Sequence, residues 1–544
     1  MFPSLRGYRR EWLRGDVIAG LTVWAVLVPE SLAYASIAGV SPVIGLYAAP
    51  PALVLYALFG SSRHLIVGPM SATAALSAAA VASVATAGQP EYVTFTAALA
   101  LVTGIVALGA GLLRLGFLAN FISEPVLKGF IVGLALTIIA GQLPKLFGVE
   151  KGDGDFFEQI WDLLTRVGDT HAATLLIGLV SLALVLGLRR LAPVVPGSLV
   201  AVAFGVLIVE ILDPGGVAIV GHIDSGLPSV GLPDASLDEH LALVGSAVGV
   251  ALVGFAEGLG AAKTYAARAH YEIEVNREMV GLGAANMGAG LCSGMVVNGS
   301  LSKTAVNGGA GANSQVSGLI VAALTVVTLL LLTGLFESLP EATLAAVVIA
   351  AVIELVDIPA LERLYRVWTD RLGRIYGPAA RADFIAAIAA LLGVLVFDTL
   401  PGLFIGIAVS LVLLLYRASR PNVAVLGRLA SGVWVDTVRS DAAETEPGVA
   451  VLRVEAGLFF ANSDAVRRAV LDHAKGARAV VIDAETIAFV DVTAADMLRQ
   501  VSDELAERGV KLLVAHDIGQ VRDVLRDEDG RLYPTVEDAV RQAR

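Results

Sequence analysis

Long apolar runs separated by short polar segments dominate the chain up to about residue 420. A bilayer-spanning helix needs roughly 20 residues, so the pattern predicts about 14 spanning or part-spanning segments. Seven lie near 17–38, 42–60, 69–86, 92–113, 125–147, 172–192 and 196–212, and seven near 241–264, 277–294, 300–309, 313–336, 341–356, 382–399 and 402–417. We therefore predict a lead-in at 1–15 and a transmembrane domain at 16–420, with repeats at 16–212 and 241–417.

Two of these segments are predicted to be broken helices. Residues 295–312 read MVVNGSLSKTAVNGGAGA, which places Lys303 among Gly and Asn at a depth where charge is expensive. Residues 65–80 read LIVGPMSATAALSAAA, where Gly68-Pro69 interrupts the helix. Interrupted segments at corresponding places in two halves indicate the midplane site of a transporter. The alternative is a pair of loop–helix junctions with ordinary caps.

A half-helix that begins inside a membrane directs unpaired N–H groups and its positive dipole end at whatever lies ahead. The predicted substrate site is therefore the start of each half-helix together with one lysine and one aromatic side chain: Ser71, Ala72, Ser300, Leu301, Ser302, Lys303 and Tyr34. The positive charge predicts an anion as substrate. In the alternative, Lys303 only pairs with a buried acid, the serines only cap helices, and Tyr34 only packs.

Each half also carries an acid in its first span, Glu30 in VLVPESLAYA and Glu257 in LVGFAEGLGAA. Ionisable residues inside a membrane are functional by default, so Glu30 is the predicted proton carrier of a symporter. The alternative for Glu30 is a permanently neutral or lysine-paired acid. For Glu257 three roles stay open: binding a cation, coupling protons, or holding Lys303.

Arg9 and Arg10 precede the first predicted span, and most of the other arginines fall on the same side of the predicted spans. Acidic residues such as Asp234 and Asp238 occupy a loop on the opposite side, in which Lys and Arg are absent. The positive-inside rule then predicts that both termini are cytoplasmic. Two halves with seven spans each must have opposite orientations, which is the condition for an inverted repeat.

Composition narrows the class of protein. Of 544 residues, 56% are hydrophobic and 16% are charged, which excludes an ordinary soluble globular protein and makes the lipid bilayer a partner. The single cysteine, Cys292, excludes an internal disulfide framework. Neither a Walker A motif, HExxH nor a paired-cysteine signature is present. We predict no enzyme activity, no metal, no cofactor and no nucleic-acid partner.

After residue 420 the pattern changes. Strands are predicted near 433–438, 449–454, 479–483 and 511–515, alternating with helices near 463–475, 493–507, 521–526 and 536–543. Such alternation is typical of an α/β domain, which we assign to 421–544.

The motifs together resemble the sulfate permease (SulP) family of anion transporters, also called solute carrier family 26, in its bacterial branch. The resemblance rests on Gly15-Asp16, Pro29, Ala33-Tyr34-Ala35, Gly45-Leu46-Tyr47, Gly68-Pro69, Ser123-Glu124-Pro125, Glu257, Glu272–Glu278, Gly299–Thr304 and a C-terminal STAS-like domain. It implies a seven-plus-seven inverted repeat with a mobile core and a gate, an elevator-like movement, and homodimers. Sulfate, bicarbonate, chloride, oxalate or dicarboxylates are the implied substrates.

Two departures from the family pattern bear on mechanism. Many relatives carry Arg in place of Lys303, and the lysine keeps the charge without the bidentate fork. Many carry Gln in place of Glu30, and with a glutamate at this position the chain resembles the proton-coupled bacterial members. In the tail, FVDVTAADML resembles the switch loop of STAS proteins, which makes Thr493 a possible regulatory phosphorylation site; the alternative is an N-cap.

The sequence thus predicts a secondary active anion transporter of the bacterial plasma (inner) membrane, coupled to protons. One alternative is sodium-coupled bicarbonate symport through Glu257. Others are an uncoupled exchanger or channel, and a membrane-anchored signalling protein, for which two broken helices with buried charge would have no use.

Overall fold

The computed structural model describes residues 8–86, 89–117, 123–152, 154–192, 195–223, 225–366, 381–397, 399–516 and 532–544. These residues divide into two compact units, Met1–Leu364 with Asp383–Val409, and Tyr365–Ala382 with Ser410–Arg544. The helix predicted near 521–526 lies outside the described residues.

The two halves of the membrane domain repeat one order of elements. The first half contains α1 Leu13–Ile37, α2 Pro42–Phe59, β1 Ile66–Gly68, α3 Ser71–Ala82, α4 Pro90–Leu112, α5 Glu124–Phe147, α6 Phe156–Thr165, α7 Ala172–Leu191 and α8 Gly197–Leu212. The second contains α9 Leu237–Ala242, α10 Val244–Arg268, α11 Val275–Leu291, β2 Asn298–Ser300, α12 Leu301–Gly309, α13 Val316–Leu331, α14 Glu341–Val352, α15 Ile358–Arg366, α16 Ala382–Phe397 and α17 Thr399–Ala418. Apart from the short α6, α9 and α15, each half has two long helices, a strand leading into a half-helix, and four more helices.

Helix length and composition confirm a polytopic helical membrane protein. Among the described residues, seven helices are long and apolar enough to cross a bilayer, and five shorter apolar helices accompany them. Large apolar side chains stay exposed on their outer faces, including Leu112, Ile211 and Leu331. In water such surfaces favour aggregation, whereas lipid solvates them.

Small residues allow helices of opposite halves to approach closely, and α4 and α11 show this best. A Cβ added at Gly104 would lie 2.5 Å from the Met287 backbone nitrogen, and one at Gly283 would lie 2.5 Å from that of Leu108. Close backbone approach through small residues is how membrane helices gain packing energy, because lipid offers no hydrophobic drive for their association. The two repeats are therefore interlocked rather than placed side by side.

The C-terminal unit carries a six-stranded sheet in the order β4-β3-β5-β6-β7-β8. Its elements are β3 Val423–Arg428, β4 Trp434–Asp436, β5 Val449–Val454, α18 Ser463–His473, β6 Ala479–Asp483, α19 Val492–Glu507, β7 Lys511–Ala515, β8 Leu532–Tyr533 and α20 Val536–Ala543. Strands β5 to β8 are parallel, and β3 is antiparallel to both neighbours. Helices α18 and α19 cover one face and α20 covers the other. The α/β domain is confirmed, although the sequence analysis missed β3 and β8.

Candidate functional site

The two broken helices meet in a two-stranded antiparallel ribbon. Ile66 of β1 lies opposite Ser300 of β2, and Gly68 lies opposite Asn298. Because the strands run in opposite directions, α3 and α12 leave the ribbon from opposite ends. Their N-termini, at Ser71 and Leu301, therefore flank the same few residues of extended backbone.

Side chains satisfy the non-helical backbone around the ribbon. The Asn286 carboxamide accepts from the Val297 N–H and donates to the Val297 carbonyl, both at 2.9 Å. The Asn298 Oδ1 accepts from the Gly299 N–H at 2.7 Å. A Cβ at Gly299 would lie 3.0 Å from the Gly258 Cα, so only glycine lets α10 pack this closely on β2. Irregular backbone at membrane depth is tolerated only when its polar groups are paired in this way.

The two half-helix N-termini differ in how they are capped. Ser300 is the N-cap of α12 and its Oγ accepts from the Lys303 N–H at 3.2 Å, with Ser302 Oγ 3.1 Å away. Met70 precedes α3 and provides no side-chain cap. The first N–H groups of α3 thus lack the usual side-chain partner, and they belong to the buried residues Ser71 and Ala72. Leu301 and Ser302 are exposed at the start of α12.

Lys303 is the buried positive charge beside the ribbon. Its side chain is only 1% exposed, and its Nζ lies 2.7 Å from Glu30 Oε2 and 3.1 Å from the Pro69 carbonyl oxygen. The same ammonium lies 4.9 Å from the centroid of the Tyr34 ring, within the range of a cation–π interaction. The structure thus brings together Lys303, Glu30 and Tyr34. It also places the lysine next to Pro69, which leads into α3.

Glu257 has a different partner. Its Oε2 accepts from Asn298 Nδ2 at 3.3 Å, so it contacts β2 rather than Lys303 in the described part of the chain. Of the three roles left open for Glu257, holding Lys303 is therefore not the one seen here. The structure assigns that contact to Glu30.

Sequence reasoning missed several residues that shape the site. Asn286 and Asn298 were not singled out, although two buried asparagines beside a glycine break are a signal for paired non-helical backbone. Asp16 and Glu278 were noted only as motif residues. Asp16 is fully buried and accepts from the Asn313 N–H at 2.7 Å and from the Ser314 hydroxyl at 2.7 Å, which anchors the segment between α12 and α13.

In the C-terminal unit, Asp491 caps α19 and accepts from the Ala494 N–H at 2.8 Å and the Phe460 N–H at 2.9 Å. The N-cap alternative for Thr493 is therefore wrong, because Asp491 occupies the cap and Thr493 is exposed in the first turn. Phosphorylation of Thr493 stays a prediction.

Among the described residues of this unit, Asp483, Glu485 and His516 form a group of potential metal ligands, whose ligand atoms lie within 4.8 Å of one another. Arg453 Nη2 lies 2.6 Å from Asp483 Oδ2 and 2.9 Å from Glu485 Oε2. The guanidinium already supplies the positive charge that these carboxylates need, so the arrangement is that of an ion-pair network.

Fold and site together define a polytopic transporter with a STAS domain. The model of the sulfate permease family matches residues 13–373, and that of the STAS domain matches 442–540. The chain is 38% identical over 530 residues to a probable sulfate transporter of Mycobacterium tuberculosis, covering 96% of this chain and 92% of that one. It is 30% identical over 541 residues to probable sulfate transporter 4.2 of Arabidopsis thaliana, covering 95% and 78%. The chain belongs to the sulfate permease family, whose members are transporters and not enzymes.

Solved structures show the same fold. Murine solute carrier 26 family member A9, an anion transporter in the inward-facing state, matches with a TM-score of 0.89 at 22% identity, covering all of this chain and 94% of the other. The transmembrane domain of the cyanobacterial bicarbonate transporter BicA matches with a TM-score of 0.63 at 23% identity, covering 73% and 98%. At these identities the likeness concerns the fold alone.

Proposed function

We propose that the protein carries out secondary active transport of a small anion, of the class of sulfate, bicarbonate or a dicarboxylate. The substrate would bind between the N-termini of α3 and α12. The observation that carries this proposal is the buried Lys303 beside two half-helix N-termini, one of them without a side-chain cap. Helix N-termini and a lysine both favour an anion. The sulfate transporters among its relatives support the same substrate class.

Proton coupling would follow from competition for Lys303. Glu30 lies 2.7 Å from the ammonium, so an anion that pairs with Lys303 must take the place of this carboxylate. Protonation of Glu30 removes the competing negative charge, and anion binding in turn favours protonation. Such coupling is reciprocal by thermodynamic necessity. The proton and the anion would then cross together, by the elevator-like movement that the family resemblance implies.

The proposed setting is the bacterial plasma membrane, with both termini cytoplasmic and the protein assembled as a homodimer. The excess of arginines on the predicted cytoplasmic side supports this orientation. The dimer rests on the family resemblance.

Sodium-coupled bicarbonate uptake is the second candidate, and the contact between Glu257 and Asn298 favours it. This carboxylate lies at β2, directly ahead of α12, where a cation could be held next to the anion. Stimulation of uptake by sodium would support it, whereas macroscopic anion currents would indicate a channel.

The test is uptake of radiolabelled sulfate, bicarbonate and fumarate by the full-length protein in liposomes, with and without an inward proton gradient or sodium. The variants are Glu30→Gln and, as a matched control, Glu124→Gln, whose carboxylate forms an exposed pair with Lys128. We expect gradient-driven uptake of at least one anion in the wild type and the control. Glu30→Gln should keep downhill uptake and lose the response to the gradient. Gradient-driven uptake that survives in Glu30→Gln would overturn proton coupling through Glu30.

A further inference from the structure

The segment that leads into α3 is held almost entirely by side chains. Six consecutive backbone N–H groups, those of residues 61–66, find side-chain acceptors, and all but one of these acceptors belong to the second repeat. They are Glu278 for Ser61 and Ser62 (2.7 and 2.8 Å), the Tyr271 hydroxyl for Arg63 (3.1 Å), Ser62 Oγ for His64 and Leu65 (3.3 and 3.1 Å), and Thr304 Oγ1 for Ile66 (3.1 Å).

Thr304 differs from the other acceptors because it lies on the half-helix itself. It follows Lys303 in the first turn of α12 and is fully buried. Its hydroxyl accepts a hydrogen bond from the Ile66 N–H. In the ribbon, Ile66 also lies opposite Ser300, the N-cap of α12. Helix α12 is attached to β1 through the ribbon and through the Thr304 hydroxyl. It is also attached to the residues on either side of β1, because Asn307 Nδ2 donates to the His64 carbonyl at 2.9 Å and Lys303 Nζ donates to the Pro69 carbonyl at 3.1 Å. Among these side-chain contacts, the Thr304 hydrogen bond is the one made to the strand itself, and it helps to fix the angle between α12 and β1.

The angle matters because the anion ligands in the proposed site are mainly backbone N–H groups. Such donors cannot adjust by changing rotamer, so the spacing of the two helix N-termini sets the size of anion that they fit. Lys303 acts as a compact point charge and contributes attraction with little geometric selectivity. Selection by size must then come from whatever holds α12 at its distance from α3.

We propose that Thr304 is a specificity-determining positioning residue, whose hydrogen bond to the Ile66 N–H sets the separation of the two half-helix N-termini. This inference rests on the proposed anion site between α3 and α12. In this proposal Thr304 acts through Ile66 and not as a substrate ligand, because its side chain is fully buried and its oxygen accepts from the Ile66 N–H. Its loss should change which anions are preferred more than how well any anion is transported.

The test measures KM and maximal uptake for chloride, bicarbonate, sulfate and fumarate with full-length protein in liposomes. Thr304→Val keeps the side-chain shape and removes the acceptor, which leaves a buried N–H unsatisfied. Thr304→Ser restores the hydroxyl. Thr325→Val is the matched control, because Thr325 is equally buried on α13 and its hydroxyl donates to the Val321 carbonyl of its own helix.

We expect Thr304→Val to change the ratio of KM values between the smallest and largest transported anions by about fivefold or more. Thr304→Ser should restore the wild-type ratio, and Thr325→Val should leave it unchanged. A uniform fall in uptake of all anions with unchanged KM ratios would show that Thr304 is merely structural and would overturn the inference.

Thr304→Cys provides a second variant if the valine protein fails to fold, because a thiol is a weaker acceptor of similar size. An intermediate KM ratio supports the inference, and a wild-type ratio contradicts it. The two proposals fail differently. A wild type that transports none of the four anions overturns the proposed function and this inference with it. A selective wild type with equally selective Thr304 variants overturns the inference alone.

Discussion

The half-helices α3 and α12 begin in one ribbon and occupy corresponding places in the two repeats, yet they are built differently. Helix α3 starts with small residues, has no side-chain cap and carries no charge. Helix α12 is capped by Ser300, carries Lys303 and is attached to β1 by Thr304. The repeats thus share a backbone plan and divide the chemistry, with bare N–H groups on one side and a full charge on the other.

The acids of the two first spans show the same division. Glu30 forms an ion pair with Lys303, whereas Glu257 accepts a hydrogen bond from the neutral Asn298 side chain. In the proposed function, only the first acid would compete directly with a bound anion for the lysine. The comparison teaches that an inverted repeat can keep its geometry while each copy takes a separate role.

Removal of the charge from α12 should have the largest effect. Lys303→Met leaves Glu30 buried without its partner, which typically costs about 3 to 5 kcal/mol. We expect anion uptake to fall by about a hundredfold and the melting temperature of the purified protein to drop. Adding Glu30→Gln should recover most of the lost stability and none of the uptake. Full uptake in Lys303→Met would show that the positive charge on α12 is not needed for anion transport.

Blocking the uncapped end of α3 should have an intermediate effect. Ala72→Leu places a large side chain in the buried first turn, and we expect the KM for the anion to rise about tenfold because charge-assisted hydrogen bonds to those N–H groups are lost. The control is Ala79→Leu, at a half-buried position later in the same helix. Equal effects of the two substitutions on KM would mean that the start of α3 is not part of the site.

The smallest effect should come from the caps themselves. Ser300→Ala removes an N-cap and should lower stability by about 1 kcal/mol, whereas Ser71→Ala removes a hydroxyl that caps nothing. Thermal unfolding of the two variants in detergent measures the difference. A larger loss in Ser71→Ala than in Ser300→Ala would reverse the comparison of the two helix ends.

Sequence reasoning was most successful where the signal is local. Helix positions follow from apolar runs, and both interruptions follow from residues that break helices, Gly68-Pro69 and Gly299. That the residues of the predicted site bind substrate stays a prediction. The structure does place Ser71, Lys303, Glu30 and Tyr34 around the ribbon. Strand β3 was not predicted because its pairing with β5 stabilises it, and β5 is separated from it along the chain by a turn and by strand β4.

The sequence by itself determined that this is a membrane transporter with two broken helices, a lysine in the second of them and an acid in the first span of each half, because hydropathy and helix breaking depend on neighbours along the chain. Only the tertiary structure decided that Lys303 pairs with Glu30 and not with Glu257, and that Thr304 reaches Ile66. Hundreds of residues separate these partners. Their contacts depend on how the two repeats interlock. The order of residues does not reveal this arrangement, whereas the packing of α1, α10 and α12 around one ribbon does reveal it.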